Sequence, residues 1–143
     1  ADTSIAENIA LGVSAEKIDM ELVRESAKKA QLSEFIESKP DSYKSFAGER
    51  GIRLSGGQCQ RLGIARAHYK KAKVFVFDEA TSALDNMTEL AVMNAIESLS
   101  EELTIVMVAH RLTTLKKCNK VIVLEDGVVK EIISGSELLM RNI

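Results

Sequence analysis

Between residues 73 and 110 the chain alternates two apolar runs with one helix-period segment: KVFVFD (73–78), TELAVMNAIESL (88–99) and TIVMVAH (104–110). No hairpin turn lies between the two runs. Strands joined through a helix are arranged in parallel, so this pattern predicts a parallel, layered α/β sheet. Leu90, Met93 and Ile96 stand at helical spacing and supply the apolar positions of the intervening helix. Further on, KVIVLEDG (120–127) and VVKEII (128–133) predict a strand pair turning at Asp126–Gly127. SGSELLMRN predicts a small terminal helix capped by Ser136.

The part before residue 72 reads differently. Residues 16–35, EKIDMELVRESAKKAQLSEF, predict one charged helix with apolar Ile18, Leu22 and Leu32 and small Ala27 and Ala30. Pro40 closes that segment, because proline and the residue before it resist helix continuation. SYKSFAGERG (42–51) reads as loop, and a second helix is predicted from Leu54 to Tyr69 with Leu62, Ala65 and Ile64 or Tyr69 on its core side. The expected organisation is a mostly helical part over 1–71 followed by an α/β part over 72–143.

Aromatic residues are scarce, with four Phe, two Tyr and no Trp, so the core must rest on Ile, Leu, Val and Met. Nineteen basic and 21 acidic residues leave a formal net charge of −2, which argues against a general polyanion-binding surface and leaves room for a local phosphate site. Cys59 and Cys118 are far apart and in no ligand-spaced cluster, which suits a reducing compartment. No apolar stretch approaches the roughly 20 residues that span a bilayer. No basic-then-apolar leader opens the sequence, and ADTSIAENIALG reads as the interior of a domain. A membrane role is therefore expected to need a partner or further chain.

Two short stretches carry chemistry. Ser55-Gly56-Gly57-Gln58 satisfies the capping-box pattern, a serine three residues before a glutamine. A cap does not need two glycines in the first turn, where glycine is a poor helix former. Without Cβ atoms they would let a ligand reach the exposed amides of a helix start, which stabilises anions. A phosphate-contacting turn and a plain structural cap both fit. Asp78 and Glu79 end the run KVFVF, and a parallel sheet with that run buried would deliver them to its C-terminal edge, where ligands of open α/β sheets bind. Asp78 there can serve a magnesium ion through its water shell and Glu79 can polarise an attacking water; two solvated carboxylates at a strand end are the alternative. Ser82 and Asp85 lie on the following connection. His110 would emerge on the same edge, in contact with a terminal phosphate or as a structural residue. There is no GxxxxGK[ST], and no glycine is followed by lysine, so the main phosphate cradle and its lysine are not in this sequence.

Taken together these elements resemble the nucleotide-binding domain of an ATP-binding cassette (ABC) transporter. LSGGQ (54–58) matches the family signature, VFVFDE (74–79) the Walker B strand with its catalytic glutamate, SALD (82–85) the D-loop, and His110 in VAHR the switch histidine. GERG (48–51) and DTSIAENIALG (2–12) resemble the X-loop and the segment after the Q-loop of exporters. The resemblance implies a partial P-loop NTPase-like cassette, α/β in class, with a helical signature subdomain followed by part of a mostly parallel sheet core. It covers the later portion of a cassette, after the A-loop, Walker A and Q-loop.

The same resemblance implies ATP and Mg2+ as cofactors of a complete dimeric parent, bound between two cassettes arranged head to tail. Ser55, Gly56 and Gly57 would then contact the γ-phosphate across the interface, with Gln58 supporting the turn. Asp78 would support magnesium, Glu79 would act as general base, and His110 would hold the γ-phosphate and the water. Ser82 and Asp85 would communicate across the dimer, and Glu49 and Arg50 would meet the transmembrane domains at the cytoplasmic face of a membrane. Departures are modest: Cys59 stands where a basic residue is usual, His68–Tyr69 replaces a small-or-leucine pair, and KEIISGSELL lacks the usual Gly-Thr-His character. The isolated chain is expected to be soluble, inefficient in hydrolysis and prone to self-association through exposed core. A non-catalytic interaction module, and a DNA-repair or chromosome-organising ATPase, are the competing functions; the exporter-like segments and the lack of a basic stripe oppose the second.

Overall fold

The computed structural model describes residues 3–48, 51–78, 86–99, 103–108, 112–115 and 117–140. The chain forms two compact units, one of Ala1–Val76 with Ala80–Val106 and one of Phe77–Glu79 with Met107–Ile143.

The first unit is built around helices. β1 (Thr3–Ser4) runs into α1 (Ile5–Ile9), whose start is fixed by Ser4 and Glu7 exchanging side-chain-to-backbone bonds. A single 3-10 turn at Ala15–Lys17 precedes α2 (Met20–Lys29), capped by Asp19, which accepts from the amides of Glu21 and Leu22. The single helix expected over 16–35 is thus broken, and α3 (Ser33–Glu37) follows separately. The cause is local: Gln31 sits at φ 53, Leu32 N donates to Ala27 O at 2.8 Å, and Gln31 N donates to Lys28 O at 3.0 Å. Those two bonds are a Schellman termination, which ordinarily takes glycine at the left-handed position. Burial of Leu32 behind the turn offsets the cost of placing glutamine there.

Residues 42–51, expected as loop, contain a 3-10 turn (Ser42–Lys44) and β2 (Phe46–Ala47), which pairs antiparallel with β1. α4 (Gly56–Tyr69) then crosses the unit and packs against α1, α2 and α5 (Asn86–Leu99). Its buried residues include Leu62, Ile64, Ala65 and Tyr69, the positions that helical spacing selected. It ends as α2 does, with Lys71 at φ 49 and Ala72 N bonded to Ala67 O at 3.0 Å. In α5 the buried stripe is Val92, Ala95, Ile96 and Leu99, while Leu90 is 52% exposed. Of the trio chosen from spacing, Ile96 lies on this face, Met93 is half-buried and Leu90 points to water. Small Ala95 allows close approach at the centre, where a larger residue would hold the helices apart.

β3 (Val74–Asp78) and β4 (Thr104–Val108) are neighbours in a small parallel sheet, joined in sequence through α5. The run KVFVF is not buried throughout: Phe77 is 7% exposed, whereas Val74 and Val76 are 57% and 67% exposed. The strands alternate, with Val106 and Val108 of β4 also exposed, so one face of this pair is uncovered among the described residues.

The second unit contains the hairpin of β5 (Val121–Glu125) and β6 (Val128–Ile133), antiparallel from Val121↔Ile133 to Glu125↔Val128. Asp126 and Gly127 both take positive φ, 50 and 78, as a two-residue turn matched to strand twist requires. α6 (Leu112–Leu115) and α7 (Gly135–Met140) complete it. Ser134, not Ser136, caps α7: its hydroxyl accepts from Glu137 N, and Ser134 N donates to Glu137 Oε2 at 2.7 Å. Ser136 lies inside the first turn, too late to cap it.

Ile96→Ala is expected to cost about 2–5 kcal/mol in urea unfolding, because it leaves a cavity between packed helices. Leu90→Ala is expected to cost about 1 kcal/mol or less, because Leu90 is largely in water already. Equal losses would place the buried face of α5 on the wrong side.

Candidate functional site

Among the described residues, the start of α4 is the one helix end in the first unit that combines a full capping box with two glycines. Ser55 is extended at φ −66, ψ 163, and its hydroxyl accepts from Gln58 N at 3.3 Å. Gln58 Oε1 accepts from Ser55 N at 2.9 Å, and the Ser55 carbonyl takes Cys59 N as the first intrahelical bond at 2.9 Å. The amides of Gly56 and Gly57 are left without intrahelical carbonyls, as the geometry of any helix start dictates. Ser55 and Gly56 are exposed and Gly57 is buried, so the turn opens outward on a firm base. The first turn holds no acidic residue, which leaves the positive end of the helix dipole uncompensated.

Arg61 is a functional neighbour that motif reasoning passed over. Its Nη1 donates to Gln31 O at 2.7 Å and its Nε to Gly57 O at 3.4 Å, tying the first turn of α4 to the Gln31 turn between α2 and α3. Burial draws its guanidinium below the ordinary arginine value. The spacing from Gly57 to Arg61 was a visible signal; the partner at Gln31 was not.

Asp78 stands at the end of β3 and is exposed, next to the buried anchor Phe77. Its carboxylate is the oxygen donor a hard divalent cation takes. No group of three or more His, Cys, Asp or Glu among the described residues is arranged to hold a metal. Glu79, Ser82, Asp85, His110, Glu49 and Arg50 lie outside the described residues.

The residues flanking Glu49 and Arg50 are described, and they form a closed stem. Ile52 N donates to Phe46 O at 2.7 Å and Gly51 N to Gly48 O at 3.3 Å. Gly48 sits at φ 136, and a Cβ on Gly51 would run into the carbonyl of Phe46. Both positions thus require glycine.

Comparison with known proteins agrees on one family. The ABC transporter family model matches residues 2–82. The chain is 46% identical over 97% of its length to ABC transporter B family member 14 of Arabidopsis thaliana, and 42% identical over 97% to an ATP-dependent lipid A-core flippase of Saccharophagus degradans. Its fold is similar to a bacterial Atm1-family ABC exporter solved with ATP bound, at TM-score 0.81 and 36% identity over 99% of the chain. The chain spans 11%, 23% and 24% of the lengths of these three proteins.

Ser55→Ala removes one half of the capping box and is expected to cost about 1 kcal/mol of stability, measured by urea unfolding. Ser55→Asp keeps a capping oxygen and is expected to hold stability within about 0.5 kcal/mol of the parent, while its charge opposes any anion at the turn. Destabilisation as large in the aspartate variant would show that the hydroxyl does more than cap.

Proposed function

Because the chain belongs to the ABC transporter family and is an exporter-type nucleotide-binding sequence, we propose that it supplies one half of a nucleotide site in a transporter that couples ATP hydrolysis to export. The observation that carries this is the outward-facing, doubly glycine start of α4, fixed by Ser55 and Gln58. Its donor set fits a terminal phosphate: one hydroxyl, two amides free of helical partners and no competing carboxylate.

MgATP, when bound, supplies a phosphoanhydride whose terminal phosphoryl group passes to water. Ser55, Gly56 and Gly57 donate to that phosphate, and Gln58 holds the turn in shape. The remaining contacts come from a second nucleotide-binding domain arranged head to tail. Asp78 would accept from the water shell of a magnesium ion, Glu79 would take the proton of the attacking water, and His110 would orient water and phosphate. Ser82 and Asp85 carry the state of one site to the other. Glu49 and Arg50, on the stem closed by Gly48 and Gly51, meet the transmembrane domains. Function divides at residue 72, with the signature in 1–71 and the acidic and histidine chemistry in 72–143.

Among the described residues no helix is long and apolar enough to cross a membrane. The likeness to exporter nucleotide-binding domains supports action at the cytoplasmic face through transmembrane partners, and no nucleic-acid partner is expected from the balanced charge. Alone it is expected to hydrolyse ATP inefficiently, because the GxxxxGK[ST] cradle is absent from its sequence. The exposed apolar residues of β3 and β4, with Ile122, Leu124 and Ile132 of the hairpin, favour self-association.

In the complete transporter, Glu79→Gln is expected to lower turnover by at least about 100-fold while ATP-driven closure of the two domains persists. Turnover equal to that of the parent would contradict the general-base role.

A further inference from the structure

Arg66 lies about 16 Å along the axis of α4 from Ser55, at 1.5 Å of rise per residue. It is half-buried and has no carboxylate partner among the described residues. Its Nε donates to the backbone carbonyl of Asn8 at 2.6 Å and its Nη2 to Asn8 Oδ1 at 2.9 Å. An apolar side chain would fill the same space without leaving a charge bonded only to neutral acceptors. What the guanidinium adds is direction, since two bonds to one residue fix angle as well as distance.

Asn8 is 2% exposed and passes the contact on. Its amide nitrogen donates to Thr3 O at 3.2 Å, Thr3 Oγ1 at 2.9 Å and Ser4 O at 3.1 Å. Thr3 and Ser4 are the whole of β1, which pairs with Ala47 and Phe46 of β2. The Phe46 carbonyl accepts from Ile52 N at 2.7 Å, and the backbone runs from Ile52 directly to Ser55. The bonds form a closed circuit that leaves α4 at Arg66 and returns to it at its cap.

We infer that Arg66 and Asn8 are positioning residues for the phosphate-facing turn: they lock the axis of α4 to α1 and β1, so that a displacement at Phe46 or Ile52 reaches Ser55–Gln58 instead of being lost in a swivel of the helix. This rests on the assignment of that turn as half of a nucleotide site.

The test compares the complete transporter with its Arg66→Gln, Arg66→Lys, Asn8→Ala and doubly substituted Arg66→Gln/Asn8→Ala variants. Arg66→Gln is expected to lower ATPase kcat about ten- to a hundredfold, with the Kd for MgATP within about twofold of the parent. Arg66→Lys, which keeps one bond to Asn8, recovers part of the loss. The double variant is no worse than the worse single one, because both break one unit. In nucleotide-free protein, hydrogen exchange at the Gln58 and Cys59 amides rises in Arg66→Gln with Tm held near the parent value. Unchanged kcat and exchange in Arg66→Gln overturn the inference, as do multiplicative losses in the double variant or a kcat loss that only tracks falling Tm. Ser55→Asp in the complete transporter, which keeps the cap and opposes an anion at the turn, separates the premises. Hydrolysis that survives Ser55→Asp removes the assignment of that turn as half of a nucleotide site, whereas hydrolysis lost in Ser55→Asp and intact in Arg66→Gln removes only the positioning role.

Discussion

The exchange of bonds between Ser55 and Gln58 determines where α4 begins, and the first unit is arranged to keep that start in place. A helix beginning one residue earlier or later would present different amides, and the two glycines would no longer occupy its first two positions. Four further ties hold α4 along its length. Arg61 bonds to the Gln31 turn, Arg66 to Asn8, and at the far end His68 Nδ1 meets Ser26 Oγ at 2.9 Å while the Tyr69 hydroxyl accepts from Asp19 N at 3.1 Å. His68 and Tyr69 thus help fasten α2 to α4. Apolar burial supplies most of the energy of this packing; the polar ties supply its direction.

The strands are less complete. β3 and β4 cover one face and leave Val74, Val76, Val106 and Val108 exposed, and the hairpin leaves Ile122, Leu124 and Ile132 exposed. Alternating strands with a dry side and an apolar wet side are surfaces that bind something. The helical unit, by contrast, encloses Ile5, Ile9, Val23, Ile36 and Ile64 almost wholly. The Ser55–Gln58 turn therefore stands on the closely packed helices.

How far sequence carried the description depends on the range of the forces involved. Features set within four residues could be read directly: the S-x-x-Q start of α4, the Asp126–Gly127 turn, and the alternation of β3, α5 and β4. The same rule misled at Ser136, because Ser134 stands three residues before Glu137 and wins the cap. The break at Gln31 carries no glycine to announce it and is imposed by burial of Leu32. The orientation of α5 depends on which of several apolar stripes meets α4, which spacing alone leaves open. The Asn8–Arg66 tie joins residues 58 positions apart and has no local signature at all. In the candidate site, the capped conformation of Ser55–Gln58 was legible in the sequence, whereas the bonds of Arg61 and Arg66 became visible only through their distant partners.

The Ser55–Gln58 turn is proposed to complete a nucleotide site, and the GxxxxGK[ST] cradle that would hold the nucleotide alone is not in this sequence. A calorimetric titration of the folded chain with MgATP, with helical content and oligomeric state measured on the same sample, decides between half a site and a complete one. A folded chain with no saturable heat is the expected outcome. Tight, saturable binding to the folded chain would overturn the half-site, because a phosphate cradle would then have to exist elsewhere in the chain.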